Sequence, residues 1–324
     1  MKANVHIFHS MVFEAEALSG LREDFSAIAD VTYHQELVED PAYLKRIAAE
    51  ADIVIANDIA LAYDDLKDLP RLKMICLLGS GYDMIQLEDM VRGNVAVCNA
   101  PTYGTENVAQ HALAMIFALA HRIGDQNQRV AESGWDRARP GCIGDFSIYE
   151  LQGRTLGLVG YGNIARRLKE MLAGFGMKVL AYSSQCSEKL AAEGVESVSL
   201  EELFSRSDIV SIHTRDCPEN AKMINARLFD LMKPESFLIN TARGGLIDEE
   251  ALIAALQERK LAGAGLDVLT LEPPSDDHTL LKEPNCILTP HIAWNSPEAR
   301  QRLAHVCLEN VKDFLVGGDF NRVN

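Results

Sequence analysis

The stretch GLVGYGNIA, residues 157–165, ends an apolar run and sets two glycines close together before a basic amphipathic segment. Its centre reads Gly160-Tyr161-Gly162-Asn163-Ile164-Ala165, a G-x-G-x-x-A spacing. A strand that turns sharply into a helix favours this pattern. Gly160 suits the tight turn, Gly162 lets a pyrophosphate approach the backbone, and small Ala165 lets the helix lie close to its strand. The N–H groups and positive dipole end of the following helix would face the phosphates. The apolar strand TLGLVG (155–160) precedes the turn and KVLAY (178–182) follows the helix. This context makes the turn a dinucleotide site, with Tyr161, Gly162, Asn163 and Ile164 placed to hold the cofactor.

At the end of the second strand an acid normally binds the adenosine ribose and repels a 2′-phosphate. In KVLAYSSQC (178–186), Ser183 and Ser184 stand there instead, and the first downstream cation is Lys189. Serine removes the repulsion and can hydrogen-bond either group. The expected cofactor is therefore NAD or NADP, with the 2′-phosphate tolerated.

Around this unit, short apolar runs alternate with helical patterns. Strands are expected at 5–8, 53–56, 74–79 and 95–99, then at 155–160, 178–182, 208–213, 236–240, 263–268 and 286–290. Helices are expected at 105–123, 248–260 and 296–318. Alternation of this kind implies α/β architecture, with parallel sheets covered on both faces. Residues 151–290 supply the strands of a Rossmann domain, and the first hundred residues form a smaller α/β unit. The last helix has a pattern that suits either one.

With 324 residues, two domains are expected. The net charge of −16 argues against a nucleic-acid partner, because phosphate binding needs a basic face. The opening residues lack the apolar core of a signal peptide, and no apolar run has the length of a membrane span. Seven dispersed cysteines read as reduced thiols, so a cytoplasmic protein is expected. No metal site is expected: no histidine–carboxylate cluster has ligand spacing, and HIFH (6–9) falls on a strand. No serine or cysteine sits in a nucleophile elbow.

Three polar stretches fall at strand ends in the second half. INTARGG (239–245) carries Arg243, GLDVLTLEPP (265–274) carries Asp267 and Glu272, and LTPHIAW (288–294) carries His291. In open α/β sheets, ligands bind outside the carboxyl ends of the strands. Each residue alone has an ordinary reading, as a solvated charge or a turn cap. Together, beside a dinucleotide turn, they supply what hydride transfer to a carbonyl requires. An imidazole moves a proton near neutral pH, a carboxylate raises its pKa, and a guanidinium grips a substrate carboxylate.

This set resembles the D-isomer-specific 2-hydroxyacid dehydrogenase family, whose catalytic trio is Arg, Glu and His in that order. ANDIAL, LLGSGYDMIQLE, APTYGTENVAQHALAMIFALAHR and the run from GWDR to ELQGRTLGLVGYGNIA resemble its members that interconvert hydroxypyruvate and D-glycerate. The resemblance implies two doubly wound domains, a Rossmann domain at 103–293 inserted into a flavodoxin-like substrate domain of 1–102 plus 294–324. It implies a homodimer built by the helix near 105–123. It assigns catalysis to Arg243, Glu272 and His291, and the substrate carboxylate to Arg243 and the backbone of Gly79, Ser80 and Gly81. Asp267 would lie near the nicotinamide amide, His213 and Thr214 beside the adenosine, and Thr241 and Ala242 along the cofactor. The substrate is then a small 2-keto or 2-hydroxy acid. A broad glyoxylate or D-lactate-type reductase is the alternative, and a corepressor-like nucleotide sensor the distant one.

Overall fold

The computed structural model describes residues 2–8, 19–35, 38, 40–57, 59–135 and 148–324. The chain forms two compact units: Met1–Gly104 with Trp294–Asn324, and Thr105–Ala293. His9, Asp136, Arg137 and Cys142 of the sequence reading lie outside the described residues.

The first unit holds the parallel strands β1 (Ala3–Ile7), β2 (Ala29–Tyr33), β3 (Ile53–Ala56), β4 (Met74–Leu77) and β5 (Ala96–Cys98) in the order β2-β1-β3-β4-β5. This is the doubly wound order of flavodoxin-like sheets. Neighbouring side chains along each strand enter opposite cores, as a period of two dictates. Ile53, Ile55, Met74 and Cys76 pack with Leu303, Cys307 and Val311 of the last helix, Pro297–Leu315. Val54, Ala56, Ile75 and Leu77 face Leu44, Ile59 and Met90. Ser296 caps that helix by accepting from Ala299 N at 3.1 Å, and Asn310 donates to the Asn99 carbonyl at 2.8 Å. Cys76 and Cys98 are register partners on adjacent strands, and with Cys307 they are buried free thiols.

The second unit holds β6 (Thr155–Val159), β7 (Lys178–Tyr182), β8 (Glu196–Ser197), β9 (Ile209–Ile212), β10 (Phe237–Asn240), β11 (Gly263–Leu266) and β12 (Cys286–Leu288). All run parallel, in the order β12-β11-β10-β9-β6-β7-β8. This is the Rossmann order with one further strand, and it reverses between β6 and β9.

The structure adds two strands that the sequence pattern does not announce. ADVTY in β2 is a partly exposed edge strand, and β8 has only two exposed residues. Neither presents a buried run. The helix expected over 105–123 stops at His121, because Arg122 takes a left-handed φ of 52°, and a separate helix, Ile123–Ser133, follows.

Candidate active site

The glycine turn forms where β6 leaves the sheet. Gly160 has φ 88°, and a Cβ on it would lie 2.6 Å from the His213 carbonyl oxygen. Only glycine meets both demands. That close approach sets His213 and Thr214, just past β9, alongside the turn. At Gly162, by contrast, nothing among the described residues lies within 4 Å of a Cβ, and the helix Asn163–Met171 starts immediately after it. Tyr161 is turned inward and 2% exposed. Its hydroxyl donates to Glu193 at 2.9 Å, and Arg166 grips the same carboxylate at 2.8 and 3.1 Å. Ser183 follows β7; its hydroxyl oxygen accepts Gln185 N at 3.1 Å, while the Gln185 amide donates to the Tyr161 carbonyl. Ser184 beside it is exposed. Burial pushes the His213 imidazole down to about 4, so it is neutral near pH 7; it bonds the Ser211 hydroxyl at 2.8 Å.

Past β10, the fully buried Asn240 shapes the next loop. Its side chain accepts from Ala242 N at 3.0 Å and donates to the Arg243 carbonyl at 2.8 Å. Thr241 Oγ1 is buried and has no hydrogen-bond partner among the described residues. Arg243 follows, with Nη1 donating to the Ala242 carbonyl at 2.9 Å.

His291 and Glu272 meet at this edge of the sheet. Nδ1 of His291 lies 2.7 Å from a Glu272 oxygen, and the two side chains keep 41% and 35% exposure. The other Glu272 oxygen accepts Leu269 N at 2.8 Å. The bond to Glu272 raises the His291 pKa above the ordinary imidazole value, against an opposing effect of burial. Burial pushes the Glu272 carboxyl up, but the bond and charge of His291, the Leu269 N–H and the charge of Arg243 together hold it below the usual range. Arg243 also acts on His291, opposing its protonation.

Asp267 is 1% exposed, and its carboxylate is turned to the segment carrying His291. It accepts from Thr289 Oγ1 at 2.6 Å, Ile292 N at 2.9 Å and Ala293 N at 2.8 Å. From the helix Thr105–His121, His111 reaches Thr289 Oγ1 at 3.0 Å and Asn107 donates to the Ala293 carbonyl. These tethers hold His291 at a left-handed φ of 53°.

The structure thus brings the glycine turn, Ser183, Ser184, His213, Thr214, Thr241, Ala242, Arg243, Asp267, Glu272 and His291 to the carboxyl edge of one sheet. Sequence reasoning missed Asn240, Asn107 and His111. Asn240 ends an apolar strand, a detectable signal; the other two sit in a helix far away in sequence. Gly79, Ser80 and Gly81 belong to the first unit, just past β4. The Gly79 carbonyl accepts Ala100 N and the Ser80 carbonyl accepts the Asn99 amide, both at 2.8 Å. Across a trans peptide the N–H points opposite to the C=O, so the Ser80 and Gly81 N–H groups face away from those partners. Nothing lies within 4 Å of a Cβ built at Gly79. Among the described residues, no cluster of three or more histidine, cysteine or acidic side chains could hold a metal ion.

A glycine turn at the switch point of a Rossmann sheet, sharing its edge with an arginine and an imidazole–carboxylate pair, defines a nucleotide-dependent oxidoreductase. The profile of the D-isomer specific 2-hydroxyacid dehydrogenase NAD binding domain matches residues 113–293, inside the second unit. A hydroxypyruvate reductase of Blautia hydrogenotrophica is 34% identical over 294 residues, covering 91% of each chain. A glycerate dehydrogenase of Methylorubrum extorquens is 36% identical over 275 residues, covering 84% of this chain and 85% of its own. A solved acyclic imino acid reductase in complex with NADPH and D-arginine matches with a TM-score of 0.87 at 28% identity, over 100% of both chains. The chain belongs to the D-isomer-specific 2-hydroxyacid dehydrogenase family. It is an NAD(P)-dependent oxidoreductase of small 2-hydroxy acids.

Proposed function

We propose that this enzyme reduces hydroxypyruvate to D-glycerate, with His291 as acid and base, Glu272 as its partner and Arg243 as the grip on substrate. The observation that carries this reading is the 2.7 Å bond between His291 Nδ1 and Glu272. It fixes one ring nitrogen and leaves Nε2 for substrate. The names of the two relatives described above support the choice of substrate.

The residues present fit a dinucleotide. The orphaned Thr241 hydroxyl needs a partner, and the space over Gly162 is open to a pyrophosphate. Gly162, Asn163 and Ile164 would hold the phosphates, Ser183, Ser184, His213 and Thr214 the adenosine end, and Thr241, Ala242 and Asp267 the nicotinamide end. Tyr161 would contribute backbone only. When bound, the nicotinamide supplies the hydride. His291, protonated at Nε2, gives its proton to the carbonyl oxygen of the keto acid. Glu272 stabilises the imidazolium before transfer and orients the neutral ring after it. Arg243 draws charge from the carbonyl and binds the substrate carboxylate. Oxidation of D-glycerate runs through the same groups in reverse.

NADPH is accepted beside NADH in this reading. Ser183 uses its oxygen to receive Gln185 N–H, which keeps its own O–H for a ribose hydroxyl or a 2′-phosphate. The similar reductase bound to NADPH supports this. A homodimer is part of the same proposal: Ile123, Trp135 and Ile148 stand 63%, 69% and 63% exposed on the second unit. So is a cytoplasmic location. Among the described residues no helix is long and apolar enough to cross a membrane.

The test is an initial-rate comparison of hydroxypyruvate, glyoxylate and pyruvate, each with NADH and NADPH. Hydroxypyruvate should give the highest kcat/KM, with the two cofactors within about a hundredfold, less than 3 kcal/mol apart. A higher kcat/KM for glyoxylate or pyruvate would favour the broad-reductase reading. Nucleotide binding with no turnover of any keto acid would favour a sensor.

A further inference from the structure

Glu249 takes no part in the chemistry above, yet both its oxygens are engaged. It opens the helix Glu249–Gln257, directly after the cap residue Asp248. Oε1 accepts the Thr270 N–H, and Oε2 lies 3.3 Å from Nε2 of His278. The two side chains keep 18% and 21% exposure. His278 Nδ1 receives Leu280 N–H, so the ring proton sits on Nε2 and points at Glu249. The same stretch of backbone lies against Gly244. A Cβ there would stand 2.0 Å from the Leu269 carbonyl carbon and 2.3 Å from Thr270 N. Leu269 in turn donates its N–H to Glu272 at 2.8 Å.

The Leu269–Thr270 peptide is therefore fixed between the residue after Arg243 and the first residue of a helix, and the N–H of Leu269, one peptide earlier, holds the carboxylate that bonds His291. An acid in a first helical turn ordinarily serves the free N–H groups of its own helix. Glu249 turns both oxygens to the loop instead.

We infer that Glu249, braced by His278, is a positioning residue that holds the 269–272 loop so that Glu272 meets Nδ1 of His291. Gly244 lets the same peptide pass close to Arg243, so both ends of the site share one piece of backbone. This rests on the reading of His291 and Glu272 as the acid–base pair.

The experiment measures NADH-dependent hydroxypyruvate reduction across pH for Glu249→Ala, Glu249→Gln and His278→Asn. Releasing Glu272 removes its support of the imidazolium, so in Glu249→Ala the loss of rate on the alkaline side should move down by about half a unit or more. Its kcat should fall on the order of tenfold, with the KM for NADH within about twofold. Glu249→Gln keeps an oxygen for Thr270 N–H but sets a donor against the His278 N–H, so it should recover part of the rate lost in Glu249→Ala, while His278→Asn should shift the profile partway. Should Glu249→Ala not fold, the same profile in His278→Asn decides the matter. Wild-type kcat and pH limb in the folded variants, with only a lower melting temperature, would reduce Glu249 to a stabilising residue and overturn the inference. His291→Ala in the same assay separates the two readings. If it keeps turnover, the acid–base assignment is wrong; if it is inactive and the Glu249 variants are unaltered, only this inference fails.

Discussion

At His291, chemistry and backbone strain coincide. A histidine at φ 53° costs free energy that the Asp267 tethers offset, and its imidazole gains from Glu272. Because the folded pKa of His291 is raised, the stability that the pair contributes is present at lower pH and is lost as pH rises through that value. Glu272 has the opposite sign: its contribution is lost as pH falls through the lowered carboxyl value. Keto-acid reduction should therefore hold steady past the ordinary imidazole value of about 6.5 and fall only at higher pH, as His291 loses its proton, while glycerate oxidation should rise over that higher interval. Glu272→Gln should bring both limbs down in pH, which a rate profile in each direction would register. His291→Ala should depress kcat by about a hundredfold or more and leave NADH affinity near wild type by fluorescence titration. Arg243, Glu272 and His291 could be singled out in the sequence because each lies past an apolar strand. The Asp267 tether could not. Three of its donors lie 22–26 residues away, and its neighbour His111 reaches Thr289 across 178 residues.

Among the elements, the turn between β6 and its helix offers two glycines with different duties. Gly160 is fixed by the fold itself, through φ 88° and the His213 carbonyl. Gly160→Ala should lower the melting temperature by several degrees, matching a cost of about 1–3 kcal/mol for strained backbone, and should weaken NADH binding as well. Gly162 has open space around its Cβ position. Gly162→Ala should melt within about two degrees of wild type yet lose at least roughly tenfold in NADH affinity, because the methyl group fills the place of a phosphate. Equal melting losses in both variants would show that this division is wrong. The ten expected strands were read from continuous apolar runs, the mark of parallel strands covered on both faces. Strands β2 and β8 escaped for the same reason, since their residues are largely exposed and present no continuous apolar run.

Over the whole molecule, the seating of the last helix was the least legible part of the fold. Its amphipathic pattern states that a face must be buried and does not state where. The contacts that decide it, Cys307 beneath the Leu77 carbonyl and Asn310 against Asn99, span 230 and 211 residues. Pattern within a window cannot hold such information, and an expectation for this helix came only from the resemblance to a known family. Composition spoke to partners only: a charge of −16 argued against a nucleic acid, without naming any other ligand.

The buried thiols also make the protein its own stopwatch. A thiol reagent attacks the thiolate; burial pushes Cys98 and Cys286 up to about 12, and the hydrogen bond with Cys76, then burial, raise Cys307 well above the ordinary value. Exposed Cys186 should colour an aromatic disulfide reagent at once, whereas the buried Cys76–Cys98–Cys307 group must await opening of the first unit and the partly buried Cys286 a local opening of the second. Followed in mild denaturant by mass spectrometry of the labelled peptides, the slow phases should separate by unit. Saturating NADH should lengthen the lag of Cys286 more than that of the other three, since a ligand slows the opening of the part that binds it. A common lag for all four thiols would mean that the chain opens as one cooperative body.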